Sequence, residues 1–287
     1  MTDLMKNKDD NNLPDFLALT AQKWNTIAES WHSWIPRMRE WYAPATDLML
    51  DLAHIERGSR VLDIAAGDCD QSMAIARRVG PAGYVLAIDV AEKLLEIGAQ
   101  FAREAGFQNI ETRVMDGGNL DLPDHSFDAV ICRFALMYLP DPVNGLRGMN
   151  RVLRSDGRVS LVVYGVNGSP EFSLAVSVVR QHLGLPETKP AAHSLGEIEV
   201  LRQTLEQGGF FKIDIRTLDL PIHMASPEEC VHYLQATSPT LKELTSALSS
   251  SEQKKVWDEV QRALNVFEGT QGFEFNHKVI VAAGSST

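Results

Sequence analysis

The stretch VLDIAAGDCDQS, Val61 to Ser72, decides how this chain is read. An apolar run carrying Asp63 leads into the small residues Ala65, Ala66 and Gly67, and a helix start follows near Asp70. A strand that runs into such a turn lets backbone approach a ligand closely, and the free N–H groups of the next helix can face an anion. Cys69 stands where a further glycine is expected. It admits three readings: a broken site, a site with thiol or metal chemistry, or an intact turn that tolerates a small side chain.

Downstream, strand and helix signals alternate with short turns between them. Strand YVLAID (84–89) precedes helix AEKLLEIGAQFAREAG (91–106), and IETRVMD (110–116) and SFDAVICR (126–133) read as strands. Helix PVNGLRGMNRVL (142–153) leads to strand RVSLVVYG (158–165). Strands that are apolar throughout and separated by helices predict a parallel sheet buried on both faces, a doubly wound α/β fold. Further on, helices are expected over 170–184 and 195–209, and strand 210–220 is expected to pair with 275–283. A polar helical insert, about 226–268, lies between them, with starts at Ser226-Pro227 and Ser251-Glu252.

Upstream, residues 1–15 read as a polar, frayed tail. Trp24, Ile27, Trp31, Trp34, Met38 and Trp41 then fall at helical spacing, and Pro36 is expected to divide that helix. A separate helix is expected from Ala45 to Ala53. The aromatic stripe with Tyr42 reads equally as a packing seam or as a lid over a ligand.

With 287 residues and 44% hydrophobic content, the chain can bury a large core. A formal net charge of −11 disfavours nucleic acid as a partner. The longest apolar runs fall short of a membrane span, and MTDLMKNKDDNN lacks the features of a signal peptide, so a cytoplasmic protein is expected. Cys69, Cys132 and Cys230 show no metal-site spacing, and no metal is expected.

Two further acidic residues extend the opening stretch into a constellation. Asp89, beside Val90, ends the second strand, where a carboxylate can accept both hydroxyls of a ribose. Met115-Asp116-Gly117 ends the third, where Asp116 can accept from an adenine amino group. Unpaired buried charges are costly, so strand-end carboxylates in successive units point to a ligand rather than to packing.

VLDIAAGDCD, VLAIDVAEKLLEIG, VMDGGNLDLPDHSFDAVICRFALMYLPDP and MNRVLRSDGRVSLV occur in an order and spacing that resemble the class I S-adenosylmethionine-dependent methyltransferases, the group with the ubiquinone and menaquinone C-methyltransferases. The resemblance spans about residues 60–166. It implies a Rossmann-like, seven-stranded, mostly parallel sheet with an antiparallel last strand. It also implies a tail and helical lid over 1–55 and a methyltransferase domain over 56–287, with cap inserts at about 166–196 and 221–272. The cofactor implied is S-adenosylmethionine, held by Asp63, Ala65, Gly67, Cys69 through its backbone, Asp89, Val90, Met115, Asp116, Gly117 and Arg133, with Asp70 and Gln71 nearby. Cys69 and Ala65 replace frequent glycines, and a positive φ at Cys69 would cost about 1 kcal/mol.

The implied reaction is in-line methyl transfer to a small-molecule acceptor, driven by alignment and exclusion of water. A lid of Trp24, Trp31, Trp34 and Tyr42 suits an apolar, aromatic, quinoid or isoprenoid acceptor. Tyr138 and His193 are the candidate catalytic side chains. A nicotinamide oxidoreductase and a non-catalytic partner of the same fold are the competing readings, the first opposed by the missing third glycine of GxGxxG. A homodimer is compatible with either. The acceptor atom is not legible.

Overall fold

The computed structural model describes residues 13–270 and 272–286; the expected tail falls largely outside them, and Leu13 to Asp15, which were assigned to it, already belong to a helix. Helices α1 (Leu13–Asn25) and α2 (Ala28–Leu52) precede the sheet. The chain then alternates β1 (Arg60–Ile64), α3 (Asp70–Val79), β2 (Tyr84–Asp89), α4 (Glu92–Glu104) and β3 (Ile110–Val114). β4 (Phe127–Arg133), α5 (Pro142–Val152) and β5 (Leu153–Tyr164) complete the alternating part. After α6 (Pro170–His182) and α7 (Ile198–Gln207), the long strand β6 (Phe211–Met224) is followed by α8 (Pro227–Thr237), α9 (Pro239–Thr245) and α10 (Ser250–Leu264). The two-residue β7 (Glu268–Gly269) and β8 (Gly272–Ser285) close the sheet.

The sheet runs β3-β2-β1-β4-β5-β8-β6, with β7 paired to β8 off that path. The first five strands are mutually parallel, and β8 is antiparallel to both β5 and β6. The mostly parallel, Rossmann-like architecture with an antiparallel last strand is therefore the one expected, and β7 makes the sheet eight-stranded. Val61, Leu62, Val85, Leu86, Val130 and Ile131 are fully buried, as strands covered on both faces require. Strand order reverses at β1, between β2 and β4, and the carboxyl ends of β1, β2, β4 and β5 share one edge, where such folds bind ligands.

Two helix expectations, at Pro36 and at Ser251, fail. Pro36 does not divide the helix: α2 is a single element of 25 residues with Pro36 and Pro44 inside it, and it absorbs the helix expected from Ala45. The chain breaks earlier, at Thr26-Ile27. An interior proline costs about 3 kcal/mol, whereas each large side chain buried from Ile35, Met38, Tyr42, Met49 and Leu50 contributes about 1.5–3 kcal/mol. Tertiary burial along the whole length outweighs two local defects. In the insert, Ser226 caps α8 as expected by accepting from Glu229 N; the last helix is capped by Ser249, not Ser251, in a capping box with Glu252.

Candidate functional site

A cavity of about 490 Å³ lies at the carboxyl edge of the sheet. One half is formed by the turn after β1 (Ala65, Ala66, Gly67, Asp68), the end of β2 (Asp89, Val90), the Met115-Asp116-Gly117 turn, and Arg133 at the end of β4. The other half is mainly apolar and aromatic: Trp24, Trp31, Ile35, Met38 and Tyr42 from the amino-terminal helices, Phe134, Ala135, Met137 to Pro140, Tyr164, Phe172 and Tyr233, with Lys23, Thr237 and Glu243 among its polar members.

The turn after β1 is held in an uncommon conformation. Ala65, Gly67 and Cys69 have φ of 54°, 57° and 61°, all in the left-handed region. The backbone at Gly67 can adopt this freely and presents open space where a Cβ would stand. Gly67 N donates to Asp89 Oδ2 at 2.9 Å and Ala91 N to Asp89 Oδ1 at 2.8 Å, so the second strand's carboxylate anchors the first strand's turn. A carboxylate has about four acceptor positions, and those left over on Asp89 border the cavity. Gly117 has no room for a side chain: a Cβ would stand 2.5 Å from Ile64 Cγ2.

Burial controls the electrostatics. Asp63 is fully buried; it accepts from Ser72 Oγ at 2.5 Å and from Gln71 Nε2, yet desolvation pushes its carboxyl up to about 7. Burial also raises Asp68 and Asp89 above the ordinary carboxylate range. His32 Nδ1 lies 2.7 Å from Asp68 Oδ2, and that hydrogen bond raises the imidazole. Arg133 donates to Thr46 Oγ1 at 2.8 Å and to Asp70 Oδ2 at 3.2 Å, while Arg39 Nε donates to Asp70 Oδ1 at 2.6 Å.

Of the residues singled out for the cofactor, Ala65, Gly67, Asp89, Val90, Met115, Asp116, Gly117 and Arg133 all line the cavity. Asp63 and Cys69 do not; both are fully buried behind the turn. Asp63 fixes Gln71, which does line the cavity. The Cys69 sulfur packs with Ala87 and Leu95, and burial raises its thiol far above the range where thiolate forms. Trp24, Trp31 and Tyr42 line the cavity, whereas Trp34 packs outside it against Tyr233, ring centroids 5.3 Å apart.

Tyr138 borders the cavity and is 42% exposed as a residue. His193 stands one shell back: its Nε2 is 2.9 Å from Ser169 Oγ, Ser169 lines the cavity, and burial lowers the imidazole below its ordinary value. The sequence reading overlooked Asp68, Phe134, Tyr164, Phe172 and Tyr233. It also overlooked a fully buried His277–Glu171 pair behind Tyr42. Asp68 could have been found from its place beside Gly67. Phe134 could have been found beside Arg133, whereas Phe172 and Tyr233 come from distant segments with no local signature.

The model of the ubiE/COQ5 methyltransferase family matches residues 38–188. A demethylmenaquinone methyltransferase of Listeria welshimeri is 34% identical over 113 residues, 39% of this chain and 48% of that protein. One of Staphylococcus epidermidis is 31% identical over 156 residues, 54% of this chain and 64% of that protein. The chain thus spans about half to two thirds of the length of these relatives. Among solved structures, the YcgJ protein of Bacillus subtilis aligns with a TM-score of 0.58 at 21% identity, over 85% of this chain and 98% of that one, a likeness of fold.

Proposed function

The chain belongs to the ubiE/COQ5 methyltransferase family, and from that premise we propose that it transfers a methyl group from S-adenosylmethionine to a quinol-type aromatic small molecule. The observation that carries this reading is the division of one cavity into an acidic, backbone-rich half and an aromatic half.

The residues of the first half fit the cofactor. The free acceptor positions of Asp89 suit two vicinal ribose hydroxyls. Asp116, whose Oδ1 accepts from Gly118 N at 2.8 Å, keeps Oδ2 for an adenine amino group. The Arg133 guanidinium suits the carboxylate of the methionine part, and Asp68 and Gln71 suit its ammonium. A sulfonium cation is also favoured by the carboxyl groups of Asp68 and Asp89, which line the cavity and whose desolvation a nearby cation offsets. When bound, the cofactor supplies an electrophilic methyl group.

The chain's own contribution is to orient and to dry. Trp31, Ile35 and Met38 roof the cavity from α2, and Tyr233 and Thr237 border it from α8. Ser30 Oγ to Ala236 O at 2.8 Å joins α2 to α8, and Lys23 Nζ to Glu243 Oε2 at 2.8 Å joins α1 to α9. This supports reading the helices within 1–55 as a lid and the segment at about 221–272 as a cap over the domain 56–287. A flat aromatic acceptor would be sandwiched by aromatic rings, at about 0.5–1.5 kcal/mol per ring pair beyond area burial. The relatives named demethylmenaquinone methyltransferase support a quinone-type head group for this chain.

Calorimetric titration with S-adenosylmethionine and S-adenosylhomocysteine tests the proposal. Both are expected to bind, and Asp89→Ala is expected to weaken both by on the order of tenfold to a hundredfold through lost ribose hydrogen bonds and a loosened turn. Absence of binding to the unmodified protein, or equal binding to Asp89→Ala, overturns it.

A further inference from the structure

Behind the aromatic half of the cavity, four side chains from four elements form one hydrogen-bonded line. Tyr164, half-buried at the end of β5, has its hydroxyl 2.9 Å from that of Tyr42 on α2. The Tyr42 hydroxyl is also 2.9 Å from His277 Nδ1 on β8. His277 Nε2 is 3.0 Å from Glu171 Oε1 on α6. Tyr42 and Tyr164 line the cavity; His277 and Glu171 are 0% and 2% exposed. We infer that this line is a proton relay that takes the hydroxyl proton of a phenolic acceptor bound against Tyr164 and stores it on His277.

Several features favour a relay over simple packing. Glu171 Oε2 has no hydrogen-bond partner within the described residues. Leaving a buried carboxylate oxygen unpaired costs more than about 1–3 kcal/mol, so an apolar residue would pack better here. Phe134 stacks on Tyr164 with centroids 4.5 Å apart and 23° between planes, and lies 4.8 Å from Tyr42. Both phenols are thereby oriented and shielded from water. Burial holds Tyr42 and Tyr164 well above the ordinary phenol range, so neither keeps a negative charge, and a proton taken up at Tyr164 passes on. The other titratable groups acting on His277 and Glu171 are His193, Tyr233 and Cys230, and Tyr138 acts on Tyr164; burial lowers the first and raises the other three, which disfavours charge on each.

The transfer balances without any co-reactant. The acceptor O–H donates to Tyr164 O, the Tyr164 hydroxyl donates to Tyr42 O, and the Tyr42 hydroxyl donates to His277 Nδ1. One O–H bond breaks at the acceptor and one N–H bond forms at Nδ1. Both phenols end as they began, and no electron pair is lost or gained by the relay. The acceptor becomes an oxyanion, nucleophilic at oxygen and at the ring carbons beside it. The new imidazolium is paired with the Glu171 carboxylate, which offsets its burial. The starting state requires a neutral His277 with its proton on Nε2, donated to Glu171.

The purpose of the relay rests on the methyl-transfer reading, and its test keeps the two distinguishable. Nitrogen-15 NMR of the histidine-labelled full chain is expected to show His277 with a protonated Nε2 and a bare Nδ1 at about pH 8. Saturation with S-adenosylhomocysteine and 1-naphthol is expected to protonate Nδ1 and to give the absorption band of bound naphtholate. In Glu171→Gln the naphtholate fraction is expected to fall about tenfold or more, with S-adenosylhomocysteine affinity unchanged within about twofold. Should that variant fail to fold, the spectrum of the unmodified protein still decides. A proton on Nδ1 in the free protein, or failure of 1-naphthol to bind as the anion, overturns the relay. Failure of the methyl-transfer reading looks different, since S-adenosylhomocysteine then does not bind while the resting histidine spectrum is unchanged.

Discussion

At the scale of single residues, the turn after β1 carries two side chains where the backbone favours none. A non-glycine residue in the left-handed region costs about 1–2 kcal/mol, and both Ala65 and Cys69 occupy it. Glycine relieves that strain but loses about 0.5–1 kcal/mol to the entropy of the unfolded chain. For Ala65, half-buried with only a methyl group to lose, relief wins: Ala65→Gly is expected to raise the free energy of unfolding by up to about 1 kcal/mol, measured by urea denaturation. Cys69 differs, because its sulfur fills space among Ala66, Ala87 and Leu95. Removing it forfeits about 1–2 kcal/mol of packing, so Cys69→Gly is expected to leave stability within about 1 kcal/mol and to preserve cofactor affinity. Its thiol is buried and burial raises it, which favours a tolerated small residue among the three readings. The sequence exposed this turn because its chemistry is local. It concealed His277 and Glu171, which are 106 residues apart and meet only after the sheet closes.

Between elements, the turn depends on how closely α4 approaches it. A Cβ on Gly98 of α4 would lie 2.4 Å from the carbonyl carbon of Asp68 and 2.7 Å from Cys69 Sγ. The first of these contacts is backbone and cannot rotate away. Gly98→Ala is therefore expected to destabilise the fold by about 1–3 kcal/mol and to weaken S-adenosylhomocysteine binding by displacing Asp68 and Gly67, read by thermal melts with and without that ligand. A stabilised variant with full affinity would show that α4 is free to retreat. The alternation of β1 to β5 with helices was legible because buried parallel strands are apolar throughout, and the pairing of β6 with β8 followed from their composition. The continuity of α2 through Pro36 and Pro44 was not legible. Local rules count the lost hydrogen bond and the clash, while the compensating burial comes from β5, β6, β8 and α8, none of which the segment itself reveals.

For the whole molecule, the acidic groups in and behind the cavity tie folding to ligand charge. Asp63, Asp68 and Asp89 have folded-state values raised by burial, Asp63 to about 7. An acid raised on folding binds more protons in the native state than in the unfolded one, so its protonated form stabilises the fold. That contribution is complete below the unfolded value near 4 and is lost as pH rises through the folded value. His32 is raised by its hydrogen bond to Asp68, and its contribution is likewise present at low pH and lost as pH rises through its folded value. All four act in one direction. His193, lowered by burial, opposes them over the same range, so the free protein is expected to lose stability on balance between about pH 5 and pH 8 in urea titrations, and Asp63→Asn is expected to remove the largest share of that loss. A cation placed among ionised carboxylates restores what their desolvation costs. S-Adenosylmethionine carries a sulfonium that S-adenosylhomocysteine lacks, so the ratio of their affinities is expected to move toward the former as pH rises across this window. Calorimetry at the two pH values measures that ratio directly; a constant ratio would mean that the buried carboxyl groups shape the turn without facing the sulfonium.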